Sequence, residues 1–137
     1  IMGRRTYEFG YKYGLEKGQP AYPHMKHFVF SKSLTFEKAH EQVQVRPYHL
    51  DEVLKVRNEA TGDIYLCGGG VFAGWLLDQH QIDVIKVKLS PLILNKGVRM
   101  FEGASDKYTL TLIDTESHDE GMLINSYQVT YEAEPHN

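Results

Sequence analysis

The apolar positions along the chain follow two different periods, and their alternation outlines a fold. Helical spacing predicts helices over residues 3–15, 50–60 and 71–79. Short apolar or alternating runs predict strands over residues 27–31, 43–45, 63–67, 84–89, 108–113 and 124–131. Strands alternate with helices in the first part of the chain, and the last two strands flank the turn Asp119-Glu120-Gly121. This order predicts an α/β domain with a mixed, mostly parallel sheet that ends in an antiparallel hairpin.

The first two residues read as the end of a buried strand that runs directly into a helix at Gly3. A fold that starts in the middle of an element leads us to expect that an amino-terminal piece is missing from this chain. With 137 residues, 42% of them hydrophobic and 24% charged, the chain is expected to form one domain over residues 1–137.

Composition argues against several classes of function. The net charge of −3 argues against a nucleic-acid binder, and no apolar run reaches the length of a membrane span. Cys67 is the only cysteine, and we expect it to be a buried apolar residue in a reducing, cytoplasmic compartment. The seven histidines are scattered without metal-site spacing, so we expect no metal.

Two places share one design, in which a buried strand, a glycine and a helix start follow one another. The first is Met2-Gly3-Arg4-Arg5-Thr6 and the second is Cys67-Gly68-Gly69-Gly70-Val71. Glycine lets the backbone approach a ligand closely, and the free N–H groups at a helix start attract anions. Two such corners on the carboxyl side of one sheet are suited to the linked phosphates of a dinucleotide.

A purely structural explanation stays open for both corners. Strand-to-helix turns use glycine for geometry alone, and Arg4 and Arg5 would then be surface charges. Positive charge at a helix start is unfavourable, however, which suggests that an external anion compensates it. The common nucleotide signatures do not occur: Gly68-Gly69-Gly70 is contiguous, and there is no phosphate loop of the Gly-Lys-Ser/Thr type.

The order of these motifs resembles the dihydrofolate reductase superfamily. The segment Ile1-Met2-Gly3-Arg4-Arg5-Thr6-Tyr7-Glu8 is similar to its first glycine-marked helix start, and Ile64-Tyr65-Leu66-Cys67-Gly68-Gly69-Gly70 is similar to its strand-GGG-helix. Phe28-Val29-Phe30-Ser31-Lys32-Ser33 occupies the place of the strand that meets the adenosine ribose. Within the superfamily the chain looks most like the reductase domain of bacterial riboflavin biosynthesis, so a three-layer fold with helices on both faces of the sheet is implied.

The resemblance implies a site for NADPH. Gly3, Arg4, Arg5 and Thr6 would meet the cofactor phosphates, and Ser31 and Lys32 would lie near the adenosine 2′-phosphate. Gly68, Gly69, Gly70, Val71 and Phe72 would line the pyrophosphate, with a cis peptide between two of the glycines. The family's first strand and helix, which build most of the substrate pocket, have no counterpart in this chain. No catalytic residue can therefore be assigned.

The implied function is an NADPH-dependent reductase that transfers a hydride to a pyrimidine- or pterin-like heterocycle. It would be of the 5-amino-6-(5-phosphoribosylamino)uracil reductase or dihydrofolate reductase type. The alternative is a non-catalytic relative that binds a dinucleotide or dimerises but lacks the substrate half. A homodimer is implied, in which Tyr127 and Tyr131 face either the partner or a buried sheet position.

Overall fold

A computed structural model describes residues 1–132, in which the first three strands form a parallel sheet. These strands are β1 (Met2–Gly3), β2 (His27–Phe30) and β3 (Val43–Arg46), in the order β1-β2-β3. Met2 is paired with Val29, and Val29 with Val45. All three strands therefore end at the same edge of the sheet.

The remaining strands form an antiparallel sheet. β4 (Val84–Leu89) and β5 (Thr109–Ser117) both pair with β6 (Leu123–Thr130), in the order β4-β6-β5. The predicted α/β class and the antiparallel hairpin are confirmed, although the strands are divided between two sheets. The hairpin is longer than predicted, because a bulge at Ile113 allows β5 to continue to Ser117.

Helices cover opposite faces of the parallel sheet. α1 (Arg4–Phe9) packs through Tyr7 against Val29, whereas α2 (Leu50–Glu59) and α3 (Gly70–Asp78) pack in one cluster with Phe30. Since consecutive residues of a strand point to opposite faces, Val29 and Phe30 define the two sides. The cluster that contains Phe30 also includes Ile85 and Val129, so α2 and α3 cover part of the antiparallel sheet as well.

Two predicted elements differ from the structure. The first helix ends at Phe9 and continues as a 3-10 turn over Gly10–Tyr13, because glycine is a weak helix former. The predicted strand over residues 63–67 is wrong. Among the described residues its backbone forms hydrogen bonds only with Ile1, from Ile1 N to Tyr65 O and from Cys67 N to Ile1 O. The expected burial is also wrong, because Tyr65 is 57% exposed and Cys67 is half-buried.

A polar contact attaches the segment before β5 to the end of α3. The Tyr108 hydroxyl donates to Asp78 Oδ1 at 2.7 Å, and the Ser105 amide donates to the same carboxylate at 3.0 Å. The hydrogen bond from Tyr108 is the main cause that lowers the pKa of Asp78, and Ser105 adds to it. Burial, followed by the contact with Asp78, raises the pKa of Tyr108 to about 12.

Replacing Tyr108 by phenylalanine is expected to reduce the free energy of unfolding at pH 7 by about 1–2 kcal/mol, as for loss of a hydrogen bond to a charged group. A carboxylate whose pKa is lowered in the folded state stabilises the protein above its unfolded pKa, and this stabilisation is lost as the pH falls through the folded pKa. The difference between Tyr108→Phe and wild type should therefore shrink below pH ~4. Urea unfolding at pH 7 and at acidic pH measures it; an unchanged difference would contradict the role of Asp78.

Candidate functional site

Both glycine corners lie where an extended segment passes into a helix. β1 ends at Gly3, and α1 begins at Arg4 with no side-chain hydrogen bond to its start. Residues 65–67, which run beside Ile1, pass through Gly68 and Gly69 into α3, which also lacks a side-chain cap and an acidic residue in its first turn. The start of each helix therefore carries amide groups that no capping side chain satisfies.

The second corner turns by left-handed glycine conformations. Gly68 has φ +53° and Gly69 has φ +88°, a region that residues with a Cβ rarely adopt. The implied cis peptide is wrong, because every peptide bond among the described residues is trans. Two consecutive positive φ angles already redirect the chain, so this turn forms with trans peptides.

The two corners meet each other. A Cβ on Gly69 would lie 2.7 Å from Thr6 Oγ1, and a Cβ on Gly68 would lie 3.8 Å from Thr6 Cγ2. On the other side, a Cβ on Gly3 would lie 3.2 Å from Cβ of Phe72. The start of α1 thus packs against the turn that precedes α3, and Gly68 and Gly69 remain exposed to solvent.

The last residues of the predicted pyrophosphate segment have different surroundings. Gly70 is closed on one side, because an added Cβ would collide with the Arg99 carbonyl. The Gly70 carbonyl accepts a hydrogen bond from Glu102 N at 2.9 Å. Val71 is exposed, whereas the Phe72 side chain is buried in the core. The side chain of Phe72 therefore packs the corners together, and only its backbone lies near the turn.

Arg4 links α1 to the segment after β2. Its Nε donates to Glu8 Oε1 at 2.8 Å, and a terminal nitrogen donates to Ser33 Oγ at 2.9 Å. Its charge is thus partly compensated by Glu8 of the same helix, whereas the sequence suggested compensation by an external anion. Arg5 is exposed and has no ion-pair partner within residues 1–132.

Ser31 and Lys32 line an open cavity of about 500 Å³ at the carboxyl ends of β2 and β3. The Ser31 side chain is buried, and its hydroxyl accepts from the amides of Ser33 and Leu34 at 3.2 and 3.0 Å. Lys32 Nζ lies 6.0 Å from the centre of the Tyr48 ring. Ser31 therefore shapes the loop, while Lys32 supplies positive charge to the cavity.

Sequence reasoning missed three residues of this region. Ser33 holds Arg4, Tyr48 lies 4.6 Å from Trp75 between ring centres, and Arg46 bonds to Gln44 and Glu52. Arg46 Nε is buried without a partner among the described residues. The position of Arg46 in the chain could have indicated its role. Arg46 is the last residue of β3, and ligands of α/β sheets bind at the carboxyl ends of the strands.

A second cavity of about 430 Å³ lies at the amino ends of the strands, beside Ile1 and His27. His27 accepts from the Tyr22 amide through Nε2, and its Nδ1 lies 3.0 Å from the Met25 carbonyl, which fits a neutral ring protonated at Nδ1. Burial lowers the pKa of His27 in agreement with that state. The lining of this cavity contains none of Gly3, Gly68 and Gly69 and includes the acidic residues Glu59 and Asp63, so it is a weaker candidate for a phosphate ligand.

Residues 1–132 show neither a metal-binding cluster nor a membrane-spanning helix. Residues 1–132 contain no group of three or more His, Cys, Asp or Glu side chains placed to hold a metal ion. No helix among those residues combines the length and apolar character needed to cross a bilayer.

Comparison with known proteins decides the family. The model of the RibD C-terminal domain matches residues 17–124, most of the chain. The chain belongs to the RibD C-terminal domain family. The match covers β2 through the start of β6, including the GGG turn, and the fold is the dihydrofolate-reductase-like fold of that domain.

Relatives of this RibD C-terminal domain are distant in sequence. An uncharacterized protein, YyaP, of Bacillus subtilis (strain 168) is 22% identical over 98 residues, which cover 72% of this chain and 52% of that protein. The chain thus spans about half the length of this curated relative. Two solved structures share the fold: a putative riboflavin biosynthesis protein from Shewanella sp. PV-4 and a pyrimidine reductase-like protein from Corynebacterium diphtheriae.

The structural similarity extends over nearly the whole chain. The Shewanella protein superposes with a TM-score of 0.77 at 21% identity, covering 95% of this chain and 72% of that one. The Corynebacterium protein has a TM-score of 0.64 at 18% identity, covering 96% and 75%. At such identities the likeness shows the fold alone.

Proposed function

We propose that this RibD C-terminal domain is part of an NADPH-dependent reductase that transfers a hydride to a pyrimidine- or pterin-like heterocycle. The observation that carries the proposal is the meeting of the two glycine corners, with Thr6 against Gly68 and Gly69. Membership of a riboflavin-biosynthesis family supports it. The single free cysteine suits a cytoplasmic enzyme.

The residues present fit a dinucleotide. A Cβ at Gly69 would occupy the space against the Thr6 hydroxyl, so the turn is open only because the position is glycine. Amides of the Gly68–Gly70 turn and the start of α1 would hold the pyrophosphate, with Thr6 as a further donor and Arg5 as a free cation. Arg4, Lys32 and Ser33 would face the adenosine end, beside the cavity after β2.

When bound, NADPH supplies the hydride, and the heterocycle takes up a proton to complete the reduction. The chain's own residues bind and orient the cofactor by fixing its phosphates. Turnover, measured as loss of nicotinamide absorbance with an aminouracil substrate, tests the proposal. Binding of NADPH without turnover would instead favour the alternative, a non-catalytic dinucleotide-binding or dimerising relative.

Replacing Arg4 by glutamine is expected to weaken NADPH binding about tenfold and NADH binding less, because one charge-assisted contact is removed. The geometry behind this is the Arg4–Ser33 bond, which directs the guanidinium toward the segment after β2. Fluorescence titration with both cofactors measures the two dissociation constants.

Lys12→Gln is the matched control, since it removes one positive charge from the turn that follows α1, where Lys12 Nζ lies 5.4 Å from the centre of the Phe9 ring. Equal weakening by both variants would mean that only net charge matters. Such a result would contradict a specific role for Arg4.

A further inference from the structure

The connection between β4 and β5 passes along one face of α3. Gly70, Gly74 and Asp78 are spaced four residues apart, so they form one row on that helix. A Cβ on Gly70 would collide with the Arg99 carbonyl, and a Cβ on Gly74 would collide with the Glu102 carbonyl. The row therefore has room for a passing backbone only because two of its positions are glycine.

Hydrogen bonds fix this connection near both ends of the row. The Glu102 amide donates to the Gly70 carbonyl at 2.9 Å, and the Ser105 amide donates to the Asp78 carboxylate at 3.0 Å. Backbone amides of the connection make both of these contacts. The exposed side chain of Arg99 takes no part in them, so it is available for a ligand.

Arg99 brings a positive charge to the start of α3. Its carbonyl lies against Gly70, the first residue of that helix. Arg99 has no ion-pair partner within residues 1–132. Glu102 is the only acid between positions 89 and 105, and it is not paired with Arg99. A cation beside a helix start is unfavourable unless an anion is bound there, because the amides of the helix start are themselves positive.

We propose that Arg99 binds the pyrophosphate at the GGG turn, as a contact from a third segment of the chain beside the two glycine corners. This inference rests on the proposed function, because it adds a residue to the cofactor site described there. A guanidinium offers a forked pair of N–H donors that matches two phosphate oxygens. The glycine row of α3 positions this group, because it sets how closely the Arg99 backbone approaches Gly70.

Arg99→Gln is expected to raise the dissociation constants of NADPH and NADH by the same factor, about tenfold. Both cofactors carry the pyrophosphate, whereas only NADPH carries the 2′-phosphate near which Arg4 is proposed to lie. The ratio of the two losses therefore distinguishes the two arginines. Isothermal titration with each cofactor measures both constants. Arg99→Lys should recover part of the affinity, because it keeps the charge and loses only the fork.

Lys107→Gln is the matched control for the loss of charge. Lys107 is an exposed cation of the same connection, two residues beyond Ser105. Ser105 is held at Asp78, which lies about 12 Å along the helix axis from Gly70. We expect Lys107→Gln to bind both cofactors as the wild type does. Similar losses in the two variants would show that net charge governs affinity, and would overturn the proposal.

Gly74→Ala tests the positioning of Arg99. The added Cβ would displace the Glu102 carbonyl and move the connection away from α3. Affinity for both cofactors should fall severalfold in the wild-type background and should not fall further in the Arg99→Gln background. Thermal melting shows that each variant is folded. Losses that add in the double variant would contradict a positioning role for the glycine row.

These titrations do not depend on turnover, so the two proposals can fail separately. A wild-type chain that binds both cofactors but does not oxidise NADPH would contradict the reductase function, and the variants would still decide the role of Arg99. Wild-type affinity of Arg99→Gln for both cofactors, or a loss confined to NADPH, would overturn the contact with the pyrophosphate. A folded wild-type chain that binds neither cofactor would overturn both proposals.

Discussion

Substituting Gly69 by alanine is expected to weaken NADPH binding by about 10- to 100-fold, the equivalent of one lost charge-assisted hydrogen bond. The added Cβ would lie 2.7 Å from Thr6 Oγ1, so the turn must move away from α1. This movement would change the positions of the backbone amides of the two corners relative to each other. Isothermal titration with NADPH measures the loss.

Gly14→Ala separates this effect from backbone strain. Gly14 has the same φ of +88° as Gly69, but nothing lies within 4 Å of its Cβ position. Both variants should therefore lose a similar amount of stability from the left-handed backbone, about 1–2 kcal/mol. Only Gly69→Ala should lose affinity; wild-type affinity in both variants would remove the second corner from the site.

Replacing Phe72 by alanine is expected to reduce the free energy of unfolding by about 3–5 kcal/mol. Phe72 is 3% exposed, its ring centre lies 5.3 Å from that of Phe30, and it contacts Gly3. The loss is a large fraction of the stability of a typical domain. Urea unfolding without cofactor measures it.

Val71→Ala is the control for Phe72→Ala, because Val71 is the adjacent residue of α3 and is 51% exposed. Its truncation should change the free energy of unfolding by less than about 1 kcal/mol. If the two variants lost equal stability, the assignment of Phe72 to the core would be wrong.

The order of the elements and the two corners could be predicted from the sequence because both depend on local patterns. At Gly68 the positive φ favours glycine, so the local sequence itself predicts a turn. Gly3 has an extended φ of −82°, and glycine is favoured there by the close approach of Phe72. The hairpin of β5 and β6 was likewise visible in the alternation of its residues.

Other features depend on contacts between segments far apart in sequence. Three of them join different elements: Thr6 lies against Gly69, Arg4 donates to Ser33, and the Arg99 carbonyl lies against Gly70. The internal use of the Ser31 hydroxyl and the trans peptides of the GGG turn depend on exact loop geometry. An apolar run such as residues 63–67 also does not show whether a neighbouring strand is long enough to form a ladder of backbone hydrogen bonds with it.

Amide chemical shifts recorded during an NADPH titration test most directly whether both glycine corners form one phosphate site. We expect the amides of Gly3–Thr6 and of Gly68–Val71 to shift together, with one dissociation constant. Shifts confined to one corner, or centred on the cavity beside Tyr22 and His27, would contradict a shared site.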